Sequence, residues 1–143
     1  MANEIALLAR VTTNKNADIV GIPAAQHTAP ALEAILAFAP VRFDPTLGTF
    51  RNGNGTTATE ANIYGIATRG SNGINDGVTA IRRGILYGLD LSALDFGAPV
   101  YLSDTDARLS TVAGTVSVLI GRVVPHFAVN IGDTPQKCLL VDL

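Results

Sequence analysis

Acid–base, nucleophilic or metal chemistry in this 143-residue sequence would have to be done by two histidines, one cysteine, three glutamates and nine aspartates. His27 and His126 lie far apart, with no Cys or His at ligand spacing around either, so the three or four convergent ligands of a zinc site are not foreshadowed. Asp104-Thr105-Asp106 resembles a fragment of a calcium loop but lacks its glycine and its distant glutamate, and it reads as an Asx-type turn. No serine stands in a G-x-S-x-G setting. Cys138 has no histidine near it in sequence and sits in an apolar run, where cysteine behaves as a small hydrophobe. Being single, it forms no intrachain disulfide. Gly53-Asn54-Gly55-Thr56-Thr57 has the glycines of a phosphate loop without the lysine or a following helical pattern, and reads as a loop between strands. The expectation is a chain that is not an enzyme, with no catalytic residues, no cofactor and no metal.

Composition points the same way. The chain is 48% hydrophobic and 15% charged, against roughly 25% charged in an average soluble domain. A surface so poor in charge exposes uncharged or apolar area, which favours burial against copies or partners. Net charge is −2, with only Lys15 and Lys137 beside eight arginines. The cationic footprint of phosphate-backbone binding is missing, so nucleic acid is not an expected partner. No apolar run reaches the roughly 18–20 residues of a membrane span, and the N-terminus lacks the pattern of a signal peptide, so synthesis in the cytoplasm is expected.

Short runs rich in β-branched residues, fourteen threonines among them, recur between Gly, Asn, Asp and Pro clusters. They predict a mainly β domain: a compact β-sandwich or partly open β-barrel with one or two short helical turns. Helix is expected over Thr28–Phe38, where Pro30 suits a first turn and Leu32, Ile35 and Leu36 share one face, and Pro40 ends it. A counterpart turn is expected at Ser92–Phe96. Val78–Leu89 reads as one strand, on which Arg82 and Arg83 point to opposite faces. In the predicted strand Thr115–Val124, Val116, Val118 and Ile120 share one face while Leu119 and Val123 lie on the other. Arg82, Arg83, Leu119 and Val123 are therefore candidate subunit-interface residues.

The chain also writes one unit twice. Ala39-Pro40-Val41 matches Ala98-Pro99-Val100, Phe43-Asp44-Pro45-Thr46 matches Leu102-Ser103-Asp104-Thr105, and Gly65 answers Gly121. The first copy is longer by the stretch Asn52-Gly53-Asn54-Gly55, which reads as a surface loop able to lengthen at little cost. The organisation expected is a single β domain over 28–143 with repeated units 33–69 and 92–124. Residues 1–27 precede it, as a first hairpin or as an arm that orders against a partner.

Leading into and through the second unit, Ile81-Arg82-Arg83-Gly84, Gly97-Ala98-Pro99-Val100-Tyr101-Leu102-Ser103-Asp104-Thr105, Leu109-Ser110-Thr111 and Val118-Leu119-Ile120-Gly121-Arg122-Val123-Val124 follow one another in an order and spacing that resembles the capsid decoration (cement) proteins of tailed bacteriophages. The match covers residues 78–131, is looser over 33–69 and is absent from the first 27 residues and the tail. The resemblance implies a tulip-like or jelly-roll-like β fold and a homotrimer, free of cofactors, on the outer surface of an assembled phage head. There it would bind the major capsid protein and stabilise the shell. By position it implies capsid contact through the N-terminal segment, at Glu4, Ile5, Leu7, Leu8, Arg10 and Val11. The alternatives are another virion component, such as a head-fibre base or minor tail protein, and a small β-barrel ligand-binding protein or enzyme.

Overall fold

The structure is a computed structural model and describes residues 25–126 and 135–143. Among the described residues, ten strands form two five-stranded antiparallel sheets. The first contains β1 (Gln26–Pro30), β2 (Pro40–Phe43), β3 (Phe50–Asn52), β4 (Gly65–Ala67) and β5 (Gly77–Ile81), in the spatial order β1-β5-β4-β2-β3. The second contains β6 (Arg83–Leu86), β7 (Pro99–Leu102), β8 (Leu109–Ser110), β9 (Leu119–Pro125) and β10 (Lys137–Asp142), in the order β6-β10-β9-β7-β8. The fold is a β-sandwich, not a closed barrel. Each half of the chain builds one sheet, and the two orders are the same once five is subtracted from every strand number of the second.

The duplication holds at single-residue register. Val41 pairs with Gly65 and Pro40 with Ile66; Val100 pairs with Gly121 and Pro99 with Arg122. The Ala67 amide donates to the Ala39 carbonyl at 2.9 Å, as the Val123 amide does to Ala98. Before each Pro-Val strand lies a tight turn, closed by Ala39 N–H to Leu36 C=O in one half and by Ala98 N–H to Asp95 C=O in the other. The repeat therefore extends from the predicted units to β1–β5 and β6–β10.

No described residue is helical, which corrects both predicted helical turns. Thr28–Pro30 belongs to β1, and Leu36, assigned to the apolar helix face, is 56% exposed. Segment 31–39 needs no helix because a distant loop satisfies its backbone. The Ile35 amide donates to the Ser71 hydroxyl and the Ile35 carbonyl accepts from the Ser71 amide, while Ala31 exchanges bonds with Asp76 and Asn75. Pro30 ends an edge strand, where its missing N–H costs no ladder bond.

The predicted strand Val78–Leu89 is likewise two strands in different sheets, divided at Arg82. The Arg82 amide donates to Ala25 beside the first sheet, and its carbonyl accepts from Leu143 beside the second. In β9 the register slips opposite Val100 and Tyr101, skipping Ile120. This bulge brings Ile120 and Val123 into one core, where simple alternation had put them on opposite faces.

Two apolar clusters result. One fills the face of the first sheet that carries Val41, Phe50, Ala67, Val78 and Ala80, roofed by Ala31, Ile35 and Ala39. The other gathers Val100, Leu102, Ile120, Val123, Leu139 and Val141 of the second sheet with Ala61, Ile63 and Ile66 of the first half. Ile66 and Ala67 are adjacent in β4 and enter different clusters, so the first sheet is buried on both faces.

Candidate interaction surface

The ionisable side chains of the described residues mostly hold turns. Asp104 accepts from the Thr115 hydroxyl (2.7 Å) and amide (2.8 Å), which keeps its carboxyl below the usual carboxylate range. The Leu47 amide, the Arg51 guanidinium and the Thr46 amide do the same for Asp44. The Thr56 and Thr57 hydroxyls lower Glu60, and the Ser92 hydroxyl and amide lower Asp90. Among the described residues no three His, Cys, Asp or Glu side chains converge to hold a metal.

The glycine-rich stretch of the first half corrects its own prediction. Gly53, Asn54 and Gly55 are buried, not a surface loop. Asn54 donates to Asp106 (3.1 Å) and accepts from the Thr56 amide and hydroxyl. Gly55 donates to the Ser103 carbonyl and accepts from the Val116 amide, and Gly53 accepts from Ala107. The insertion is a clasp that bonds the first half to the polar turn of the second. The extra residues could be recognised by aligning the repeats, but their partners could not.

The predicted interface residues part company. Val123 is 1% exposed inside the chain's own core, which withdraws its side chain from any surface. Leu119 is 42% exposed. Arg83 is exposed and reaches Asp142 at 3.5 Å, a geometry worth little in solvent. Arg82 is half-buried, with its guanidinium 5.1 Å from the centre of the Tyr64 ring. The residues named for capsid contact, Glu4, Ile5, Leu7, Leu8, Arg10 and Val11, lie outside the described residues.

Two surfaces stand out that strand alternation alone did not single out. On the first sheet, His27 sits edge-on to Phe43, Phe50 and Tyr64 with ring centres 5.5–6.3 Å apart, and Phe43 stacks on Phe50 at 4.9 Å. Phe50 is buried, Phe43 and Tyr64 are half-buried, and His27 is exposed. On the outer face of the second sheet, Ile85 (60% exposed), Leu140, Arg122 and Pro99 form a row across four strands, and Tyr87 (58%) extends it. Beside that row Ile85, Tyr87, Pro125, His126 and Cys138 line a cavity of about 380 Å³, with Cys138 fully buried at its wall. The cavity places Cys138 near His126, a proximity that their sequence separation had hidden.

Compared with known proteins, the chain matches no family model and no curated protein.

Proposed function

We propose that this chain is a structural virion protein: a decoration protein that self-associates, as a trimer, and binds the outside of an assembled phage head to stabilise it. The observation that carries the proposal is the outward row Ile85-Leu140-Arg122-Pro99 with Tyr87, a mostly apolar stripe crossed by one arginine, of a kind that marks contact with another protein. The stretches that carry the family resemblance between Gly97 and Val124 fall in β7–β9, one continuous three-stranded unit, which supports the same reading. A protein that binds only the assembled lattice disfavours its disassembly by mass action, and several linked copies of a weak binder hold through effective concentration.

The test is to add purified protein to emptied or expanded heads and locate it by electron microscopy. Density repeated at three-fold positions is expected. Density confined to one vertex or to the tail would instead make the chain another virion component. Removing residues 1–11 is expected to weaken shell binding while leaving a folded oligomer with the same number of subunits, since Glu4–Val11 is the proposed shell-contacting segment.

The cavity beside Cys138 favours a second reading, as a small ligand-binding protein. A small-molecule site needs precisely placed polar groups within an apolar cleft, and here His126 and Cys138 would have to supply them. A rise in melting temperature with a small apolar probe, abolished by Cys138→Phe, would favour it.

A further inference from the structure

The two halves of the chain meet head to tail. Across the first sheet one row of paired residues runs Gln26-Ile81-Ile66-Pro40; across the second the corresponding row runs Ile85-Leu140-Arg122-Pro99. In the first half this row, beyond the exposed Gln26 at its edge, is turned inward: Ile66 and Pro40 are fully buried, and Ile66 and Ile81 pack with the core of the second sheet. The contact within the chain is thus the back of one β unit laid on the front of the next. A head-to-tail contact between like units leaves one back and one front uncovered.

Among the described residues the back of the second sheet stays open at Ile85 and Arg122, with Leu140 and Pro99 half-buried between and beside them. The front of the first sheet, roofed by Ala31, Ile35 and Ala39 over Val41, Ala67 and Ala80, stays partly open at the aromatic cluster: His27, Phe43, Tyr64 and Arg82 occupy the positions of Leu86, Leu102, Ile120 and Val141. In the second half those four positions hold aliphatic side chains that lie in or against the shared core. In the first half they hold three amphipathic side chains, His27, Tyr64 and Arg82, around Phe43, and all four remain partly accessible. Two rings with polar tips and an arginine suit a surface that is wet in one state and covered in another.

We infer that a second copy of this chain repeats the internal contact, its second-sheet outer face (Ile85, Leu140, Arg122) docking on the first-sheet face around His27, Phe43 and Tyr64. Such an interface is heterologous, so it closes into a ring if the rotation per copy allows and otherwise extends. A ring of three chains would contain roughly six β units, two from each chain, in one continuous head-to-tail order. The inference rests on the self-association in the proposed function and not on the shell.

Two surface variants test it: Ile85→Asp on the back and His27→Lys on the front. Each alone is expected to sediment as a monomer with an unchanged circular dichroism spectrum. An equimolar mixture is expected to form a dimer and stop, because it retains one intact back and one intact front. Tyr87→Glu replaces Ile85→Asp if the latter does not fold. A monomeric unmodified protein, a mixture that stays monomeric, or a His27→Lys protein that keeps its full mass would each overturn the inference. A monomer that still decorates heads would sink this interface and leave the shell reading standing. An oligomer that passes the mixing test but ignores heads would do the reverse.

Discussion

At equivalent places in the two halves, the backbone makes the same demand and the sequence answers it differently. Gly48 (φ 70°) and Ala107 (φ 61°) occupy the same left-handed position in the turns after β2 and β7, just as Phe38 (φ 65°) and Gly97 (φ 86°) do in the turns before them. Only glycine adopts that conformation without steric cost. A Cβ at Gly48 meets no atom within 4 Å, so Gly48→Ala isolates the backbone term and is expected to lower stability by about 1 kcal/mol. Ala107→Gly relieves the same strain and should raise it, by somewhat less because the methyl packs against the first core. Opposite signs in matched denaturant titrations would check both. Gly65 and Gly121 meet a different demand: a Cβ on either would collide with the carbonyl oxygen of the neighbouring strand, Ile81 in one sheet and Leu140 in the other. Gly121→Ala is therefore expected to cost on the order of 1–3 kcal/mol, read as a shifted unfolding midpoint.

Among the elements, the clasp is the one whose importance was least visible in the sequence. Asn54→Ala leaves Asp106 without its Asn54 donor and the Thr56 amide without its acceptor, while the Thr56 hydroxyl keeps Glu60, and is expected to cost about 1–3 kcal/mol by chemical denaturation. Asp104, whose carboxyl ties the same turn to Thr115, gives the fold a pH dependence of known sign. Its folded pKa lies below the ordinary value of 3.8, so its stabilising contribution is complete above that value and is lost as pH falls through the folded pKa. Asp44, Glu60 and Asp90 are lowered in the same way and act in the same direction. Melting temperature should hold between neutrality and about pH 5 and fall below about pH 4, with a shallower fall in Asp104→Asn. The β strands, the polar turns and the repeat were legible because alternation and turn chemistry are local. The helix expected over Thr28–Phe38 failed because what decides that segment, Ser71, Asp76 and the β5 ladder, comes from more than thirty residues downstream. The break at Arg82 was hidden because alternation runs unchanged through it, and the bulge at Ile120 because one extra residue reverses every face assignment beyond it.

For the molecule as a whole, equal positions in a duplicated fold carry unequal burdens, and this separates what folds the chain from what joins its copies. Ile66 and Arg122 are the same residue of the two units, each paired to the proline of its Pro-Val strand. Ile66 is fully buried between the sheets, so Ile66→Ala should cost about 2–5 kcal/mol in the monomer through lost contact and a residual cavity. Arg122 is exposed, its guanidinium donating to the Gly97 carbonyl at 3.1 Å, and Arg122→Ala should change monomer stability by no more than about 0.5 kcal/mol. Its effect belongs to self-association instead, where a long amphipathic side chain covers apolar surface with its stem. Denaturation of both variants at concentrations low enough to keep the chain monomeric, alongside sedimentation at high concentration, separates the two costs. Ile66→Ala should move the first measurement strongly, and Arg122→Ala only the second. Equal losses of monomer stability would mean that both rows are covered within a single chain. The back of the second sheet would then not be free to receive a neighbour.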